Sequence, residues 1–300
     1  METVVLAPPE SPAKLGMLKA SALRLMQVTF FVYLGVMLCA CAMQNSFIFP
    51  GSATQGQPDA VIDTSIYYDV LNLRTHDGTH IAAIFGKALT PDGLERADAA
   101  QRPTVIYFYG NGACLAYCQD VFDHFRRMGM NVIIPDFEGY GMSAGNPSES
   151  GCYASADAVY DYLLTRPDID RTKIVSVGWS LGAAVAIDLA SRRPVAGLAT
   201  FSAFTSMPDM AKRMAPWLPM SLICRTHFDN LAKIKTISCP ILLAHGTRDK
   251  LIPSEMSDRL AAAAGSHAQR ISIDGAGHND VFIVGGESLF QQVDTFVESL

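Results

Sequence analysis

The sequence predicts an α/β fold in which a mostly parallel central sheet is flanked by helices on both faces. Three observations carry that reading. Short β-rich runs alternate with helical stretches from Thr104 onward, and alternating units of this kind build a parallel sheet because each helix carries the chain back to the same sheet edge. Ahead of them, residues 67–75 and 80–88 alternate polar and apolar side chains around His76-Asp77-Gly78-Thr79, and Asp-Gly at such a joint marks a hairpin and hence an antiparallel edge. The third is the run 173–186, strand-like and then helix-like, with Gly178-Trp179-Ser180-Leu181-Gly182 at the junction.

In chain order, residues 1–24 read as an N-terminal tail, 25–43 as a membrane-targeting helix, 44–66 as a tether and 67–300 as one α/β domain. No charged residue occurs between Leu25 and Pro58, and the apolar, aromatic run 25–43 is long enough to span a bilayer. Lys14, Lys19 and Arg24 outweigh Glu10 on its N-terminal side, so the positive-inside rule puts the N-terminus in the cytoplasm and the bulk of the chain outside it, membrane-anchored. Gln27, Thr29 and Tyr33 weaken the span, and Leu38-Cys39-Ala40-Cys41 is similar to a bacterial lipoprotein box with Cys41 as the lipidated residue. Three readings stay open: an uncleaved anchor, a cleaved or lipidated signal, and a helix packed on the protein's own surface. The tether mixes Pro, Gly, Ser and Gln around the apolar knot Phe47-Ile48-Phe49-Pro50, which reads as a short docked segment.

Strands are expected at 104–109, 131–136, 173–177, 195–201, 240–245 and 269–273, each short, β-branched or aromatic, and bounded by turn residues. Helices are expected at 117–128, 154–165, 181–192, 254–264 and 287–300. Between Phe201 and Pro240 the connection is longer than an α/β unit needs, which marks a short lid insertion over about 202–235. Its Met207, Met210, Met214 and Trp217 recur at roughly helical spacing, either as an apolar substrate pocket or as ordinary core.

A chain of 300 residues with 49 % hydrophobic content can bury one large core or two small ones, and one α/β domain is the economical reading. The net charge of -6 and the lack of a long basic run exclude the electrostatic footprint of a nucleic-acid binder and favour a small-molecule or lipid-like partner. The seven cysteines show no Cys-x-x-Cys spacing, so a metal role has little support, and no cofactor is expected. Cys114 and Cys118, four apart, read as buried small residues or as a local disulfide.

In an open α/β sheet the site lies at the carboxyl ends of the strands, so the loops there are the places to look. Ser180 sits at the strand-to-helix turn, where flanking glycines allow a bend too tight for side chains and the helix N-terminus faces the spot where negative charge would develop. After strand 240–245 comes Asp249, and after the last strand comes His278 in a Gly-flanked loop. The order Ser, acid, His then assigns Ser180 as nucleophile, His278 as base and Asp249 as the acid that orients it. The small-residue loop Gly110-Asn111-Gly112-Ala113 follows strand 104–109; Gly112, with Asn111 next, and Leu181 after the nucleophile are the expected oxyanion donors. His245, His124 and His227 read as structural.

With these motifs in place, the chain resembles the α/β-hydrolase fold serine hydrolases over roughly residues 47–300, and in particular a membrane-anchored group that includes protein depalmitoylases and bacterial hydrolases. The resemblance rests on Gly110-Asn111-Gly112, on the run from Asp136 to Glu149, on the elbow, on Phe204-Thr205-Ser206, on His245-Gly246-Thr247-Arg248-Asp249 and on Gly277-His278-Asn279-Asp280. Such proteins usually carry His before Gly-Asn, where this chain has Tyr109, a departure that bears on the packing behind the loop. The expected activity is hydrolysis of carboxyl esters or thioesters of apolar acyl groups through an acyl-enzyme on Ser180. A serine peptidase of the same fold and a non-catalytic hydrolase-like binding protein are the alternatives.

Overall fold

The structure, a computed structural model, describes residues 12–63 and 68–300. Two compact units divide between Gln44 and Asn45. Helix α1 (Pro12–Ile48), whose described residues up to Gln44 belong to the first, contains the expected 25–43 segment and runs past it at both ends. No proline lies between Pro12 and Pro50, so nothing in the sequence stops the helix until the Phe49-Pro50 step. Its Lys19–Ile48 portion, within which an 18-residue stretch has a mean hydropathy of 2.0, is long and apolar enough to cross a membrane.

The larger unit is built on strands β1 (Asp69–Arg74), β2 (His80–Gly86), β3 (Thr104–Phe108), β4 (Asn131–Pro135), β5 (Ile174–Trp179), β6 (Gly197–Phe201), β7 (Ile241–Gly246) and β8 (Ala268–Ile273). They form one sheet in the order β1-β2-β4-β3-β5-β6-β7-β8. β1 and β2 pair antiparallel, β2 joins β4 antiparallel, and all later pairs are parallel, as the alternating pattern predicts. Tyr67, the first residue of the expected hairpin, lies outside the described residues.

The helices that cover the sheet are α2 (Gln119–Arg127), α3 (Glu149–Thr165), α4 (Leu181–Arg192), α5 (Met207–Met214), α6 (Met220–Ile223), α7 (Asn230–Lys233), α8 (Ser254–Ala264) and α9 (Val281–Glu298). α3, α4, α7 and α8 pack side by side in one layer, while α2 and α9 meet through His124, Phe125 and Phe290 in the other. Every residue of β3, β4, β6 and β7 is therefore buried, the signature of a sheet covered on both faces.

Three boundaries differ from expectation for local reasons. β5 continues through Gly178 and Trp179 because both still pair with Thr200 and Phe201 of β6. α3 starts at Glu149 rather than 154, since the Ser148 hydroxyl accepts the Gly151 N–H at 2.9 Å and caps the helix before Gly151 and Cys152 can dilute its pattern. α9 begins at Val281 rather than 287 and is two helices joined at Gly286, whose φ of 47° and ψ of -148° interrupt the helical path.

The stretch read as a tether is bonded onto the larger unit. Phe49 is fully buried, Gly51 N–H donates to the Asn111 carbonyl at 2.8 Å, and Asn111 Nδ2 donates to the Ile48 carbonyl at 3.0 Å. Gln55 Nε2 reaches the Ser143 carbonyl at 2.9 Å, and Gly141 N–H donates to Thr54 Oγ1 at 3.0 Å. Backbone groups in this strip thus find partners on the loops that leave β3 and β4.

Candidate active site

Ser180 occupies the sharp turn between β5 and α4 with φ 56° and ψ -116°, a backbone region that L-residues rarely adopt. The turn is held because Ser180 N–H donates to the Phe201 carbonyl at 2.9 Å and the Ser180 carbonyl accepts from Ala183 N–H at 3.0 Å. Only glycine fits on either side: a Cβ on Gly178 would collide with the Gly182 carbonyl, and one on Gly182 with the Phe108 carbonyl. Here the sequence motif and the packing are the same fact, since helix and strand approach each other through the space that two missing methyl groups leave.

His278 Nε2 lies 2.9 Å from Ser180 Oγ, and its Nδ1 lies 2.7 Å from Asp249 Oδ2. A carboxylate only accepts, so Nδ1 donates and Nε2 is left free to accept from the serine hydroxyl. The three side chains expected to converge therefore form one hydrogen-bonded series from residues 180, 249 and 278. The loops that carry the acid and the imidazole are joined: Arg248 N–H donates to the Ala276 carbonyl at 2.8 Å, and Thr247 Oγ1 bridges Asp274 Oδ1 and Gly275 N–H.

Asp249 has more partners than the sequence suggests. Its Oδ1 accepts the N–H groups of Leu251 at 3.0 Å and Ile252 at 2.8 Å, and its Oδ2 also faces His245 Nε2 at 3.2 Å. Burial pushes the carboxyl upward, but the hydrogen bonds from His245, His278 and the Ile252 N–H outweigh it and hold Asp249 well below the usual carboxylate range. His245 is fully buried, with Nδ1 2.6 Å from Ser257 Oγ and Nε2 2.8 Å from the Ile252 carbonyl. It is a structural residue as expected, and it also braces the acid from behind.

The Gly110–Ala113 loop follows β3, which pairs with β5 through Phe108 and Gly178, so it lies beside the elbow. Gly112 is exposed with nothing within 4 Å of its Cβ position, while Asn111 is engaged on both its side chain and its carbonyl, the latter also accepting from Tyr140 Oη at 3.2 Å. The Asn111 side chain is thus spent on holding residues 48–51. Behind the loop, Tyr109 takes the position where a histidine is usual: its hydroxyl donates to Asp136 Oδ1 at 2.9 Å and accepts from Phe137 N–H at 3.1 Å. Asp136 also accepts from Leu115 N–H at 2.6 Å and Met142 N–H at 2.8 Å. Burial dominates all the same and pushes its pKa up to about 6.

That shift has a sign. The folded chain keeps a proton on Asp136 in the range from about pH 4, where an unfolded Asp has released it, to about 6, so stability falls as pH rises through this window. The loss amounts to about 2 to 3 kcal/mol at neutral pH. Asp136→Asn removes this titration, and urea unfolding from pH 4 to 7 is expected to show wild type losing stability relative to the variant; parallel profiles would contradict the assignment.

The four residues singled out in the lid divide between core and surface. Met210 is buried in the core and Met207 packs against it, whereas Met214 and Trp217 are exposed. The face of α5 that carries Asp209, Lys212 and Arg213 turns instead toward a groove of about 820 Å³ beside Asp249, which Arg248, Lys250 and Arg259 also line. Cys114 and Cys118 are both free thiols, with Cys118 Sγ 3.3 Å from the Cys114 carbonyl. Among the described residues no group of three or more His, Cys, Asp or Glu side chains is placed to hold a metal ion.

Comparison with known proteins agrees with this fold. Residues 103–223 match the family described as the alpha/beta hydrolase fold. An uncharacterized protein of Mycobacterium tuberculosis is 28 % identical over 280 residues, covering 93 % of this chain and 96 % of its own. Protein bem46 of Schizosaccharomyces pombe is 28 % identical over 299 residues, with 94 % and 96 % covered. Among solved structures, an esterase of Pyrococcus furiosus superposes with a TM-score of 0.65 at 20 % identity, over 80 % of this chain and 97 % of that one. The larger unit has the α/β-hydrolase fold.

Proposed function

We propose that this protein is a serine hydrolase that cleaves carboxyl esters or thioesters through an acyl-enzyme on Ser180. The observation that carries the reading is the hydrogen-bonded series Ser180, His278, Asp249, with Oγ 2.9 Å from an imidazole nitrogen whose tautomer the acid fixes. His278 Nε2 takes the hydroxyl proton as Ser180 Oγ attacks the carbonyl carbon, and charge collects on the carbonyl oxygen. The backbone N–H groups of Gly112 and Leu181 are the donors for that oxygen, the second aided by the N-terminus of α4. The imidazolium then protonates the departing alkoxide or thiolate. Water repeats the sequence: His278 deprotonates it, it attacks the acyl carbon, and Ser180 regains its proton as the acid leaves. The esterase among the solved neighbours supports this reaction class. Apolar acyl groups are the proposed substrates, met by the apolar side chains of the lid, of which Met214 and Trp217 are exposed. A panel of soluble acyl esters, one thioester and one aminoacyl amide tests the class: turnover of the first two with the amide untouched is expected, and amide cleavage alone would move the assignment to a peptidase.

α1 is proposed as the membrane anchor, with the hydrolase unit on the extracytoplasmic side. The protein is expected to stay with membranes through a high-salt wash, which strips charge-held proteins but not inserted helices, and a reporter fused after Leu300 should be active only outside the cytoplasm. A soluble protein in that fractionation would overturn the anchor.

A further inference from the structure

We infer that the carboxyl edge of the sheet is a bilayer-docking rim, so that the proposed site opens against lipid and takes its ester from the membrane. The inference rests on the hydrolase reading for its substrate but not for the docking. β3 and β5 to β8 run parallel, and all bring their carboxyl ends to one edge. On the segments leaving that edge stand exposed apolar side chains: Met214 and Trp217 after β6, Leu251 after β7, and Ile283 and Val284 after β8. Ile283 is 81 % exposed and Trp217 59 %, values that cost nothing at a lipid surface and disfavour a purely aqueous one.

The same edge is where the chain enters the larger unit. Phe47, Val61 and Tyr117 are exposed around the strip that bonds to Asn111, whereas Leu94 and Leu164 are the exposed large apolar side chains of this unit that lie elsewhere among its described residues. The residues that precede this entry form a helix long enough to cross a bilayer, without a charged residue from Leu25 onward, and that helix continues to Ile48. The chain thus enters the larger unit beside the Gly110–Ala113 loop. Lys212, Arg213, Arg248 and Lys250 stand among the apolar tips, and the headgroup layer favours this pairing of cations with aliphatic and indole side chains. Arg259 is neutralised by Asp209 at 3.2 Å.

The test uses the full-length protein reconstituted in vesicles of phosphatidylcholine and phosphatidylglycerol with brominated acyl chains. Bromine is expected to quench tryptophan emission, and Trp217→Phe should remove the quenched component and leave that of Trp179. Ile283→Glu supplies a second readout: kcat/KM on a vesicle-embedded ester should fall about tenfold, as expected when one aliphatic side chain loses its lipid contact, while a soluble butyrate ester changes less than about twofold. Identical quenching in wild type and Trp217→Phe would overturn the docking rim, as would unchanged turnover of the embedded ester by Ile283→Glu. Absence of any ester turnover would sink the hydrolase reading alone, because the quenching needs no catalysis.

Discussion

Ser180→Ala is expected to lower kcat for ester hydrolysis by a factor on the order of 10⁶, with the fold intact. The loss is large because the hydroxyl is the only group in the series that forms a bond to substrate. Folding should survive because the strained turn is held by backbone hydrogen bonds of residues 180, 183 and 201, and alanine meets the same backbone restriction at φ 56° as serine does. The measurements are steady-state turnover of a soluble ester and the urea midpoint. Turnover near the wild-type rate in clean variant protein would remove Ser180 from the mechanism.

Asp249→Asn is expected to cost roughly 10⁴ in kcat, less than the serine, because the acid moves no proton itself. An Asn amide facing His278 Nδ1 favours the tautomer with the proton on Nε2, where it can no longer accept from Ser180. This variant also changes stability. A carboxyl held below its ordinary range stabilises the folded chain above the unfolded pKa of about 3.9 and loses that contribution as pH falls through the folded value. The stability gap between wild type and Asp249→Asn should therefore narrow on acidification below about pH 4. A silent Asp249→Asn would move the acid's role to another residue.

The readable parts of this chain were the ones governed by local rules. Alternating strand and helix patterns gave the parallel sheet, and Gly178-Trp179-Ser180-Leu181-Gly182 gave the elbow because its glycines answer contacts made within a few residues. Ser180, Asp249 and His278 were legible as loop residues after successive strands, since parallel topology brings those loops to one edge whatever the packing detail. The brace behind the Gly110–Ala113 loop was not legible: Tyr109 and Asp136 meet across two strands, and a buried carboxylate with three donors leaves no periodic trace. His245 was placed in the core, but its contact with Asp249 depends on how the loop folds back at Ile252. The orientation of the lid helix was not legible for a different reason. Helical spacing locates Met207, Met210 and Met214 along a helix but does not say which side meets the sheet, and the core took Met210 while Asp209, Lys212 and Arg213 turned to the groove.

The central claim, that Ser180 is the acylated nucleophile, is tested most directly by mass analysis of the full-length protein after reaction with a fluorophosphonate. One adduct, mapped to the peptide containing Ser180 and absent from Ser180→Ala and from protein preincubated with an ester substrate, is the result this account predicts. An unmodified wild-type protein, or an adduct that persists in Ser180→Ala, would contradict it.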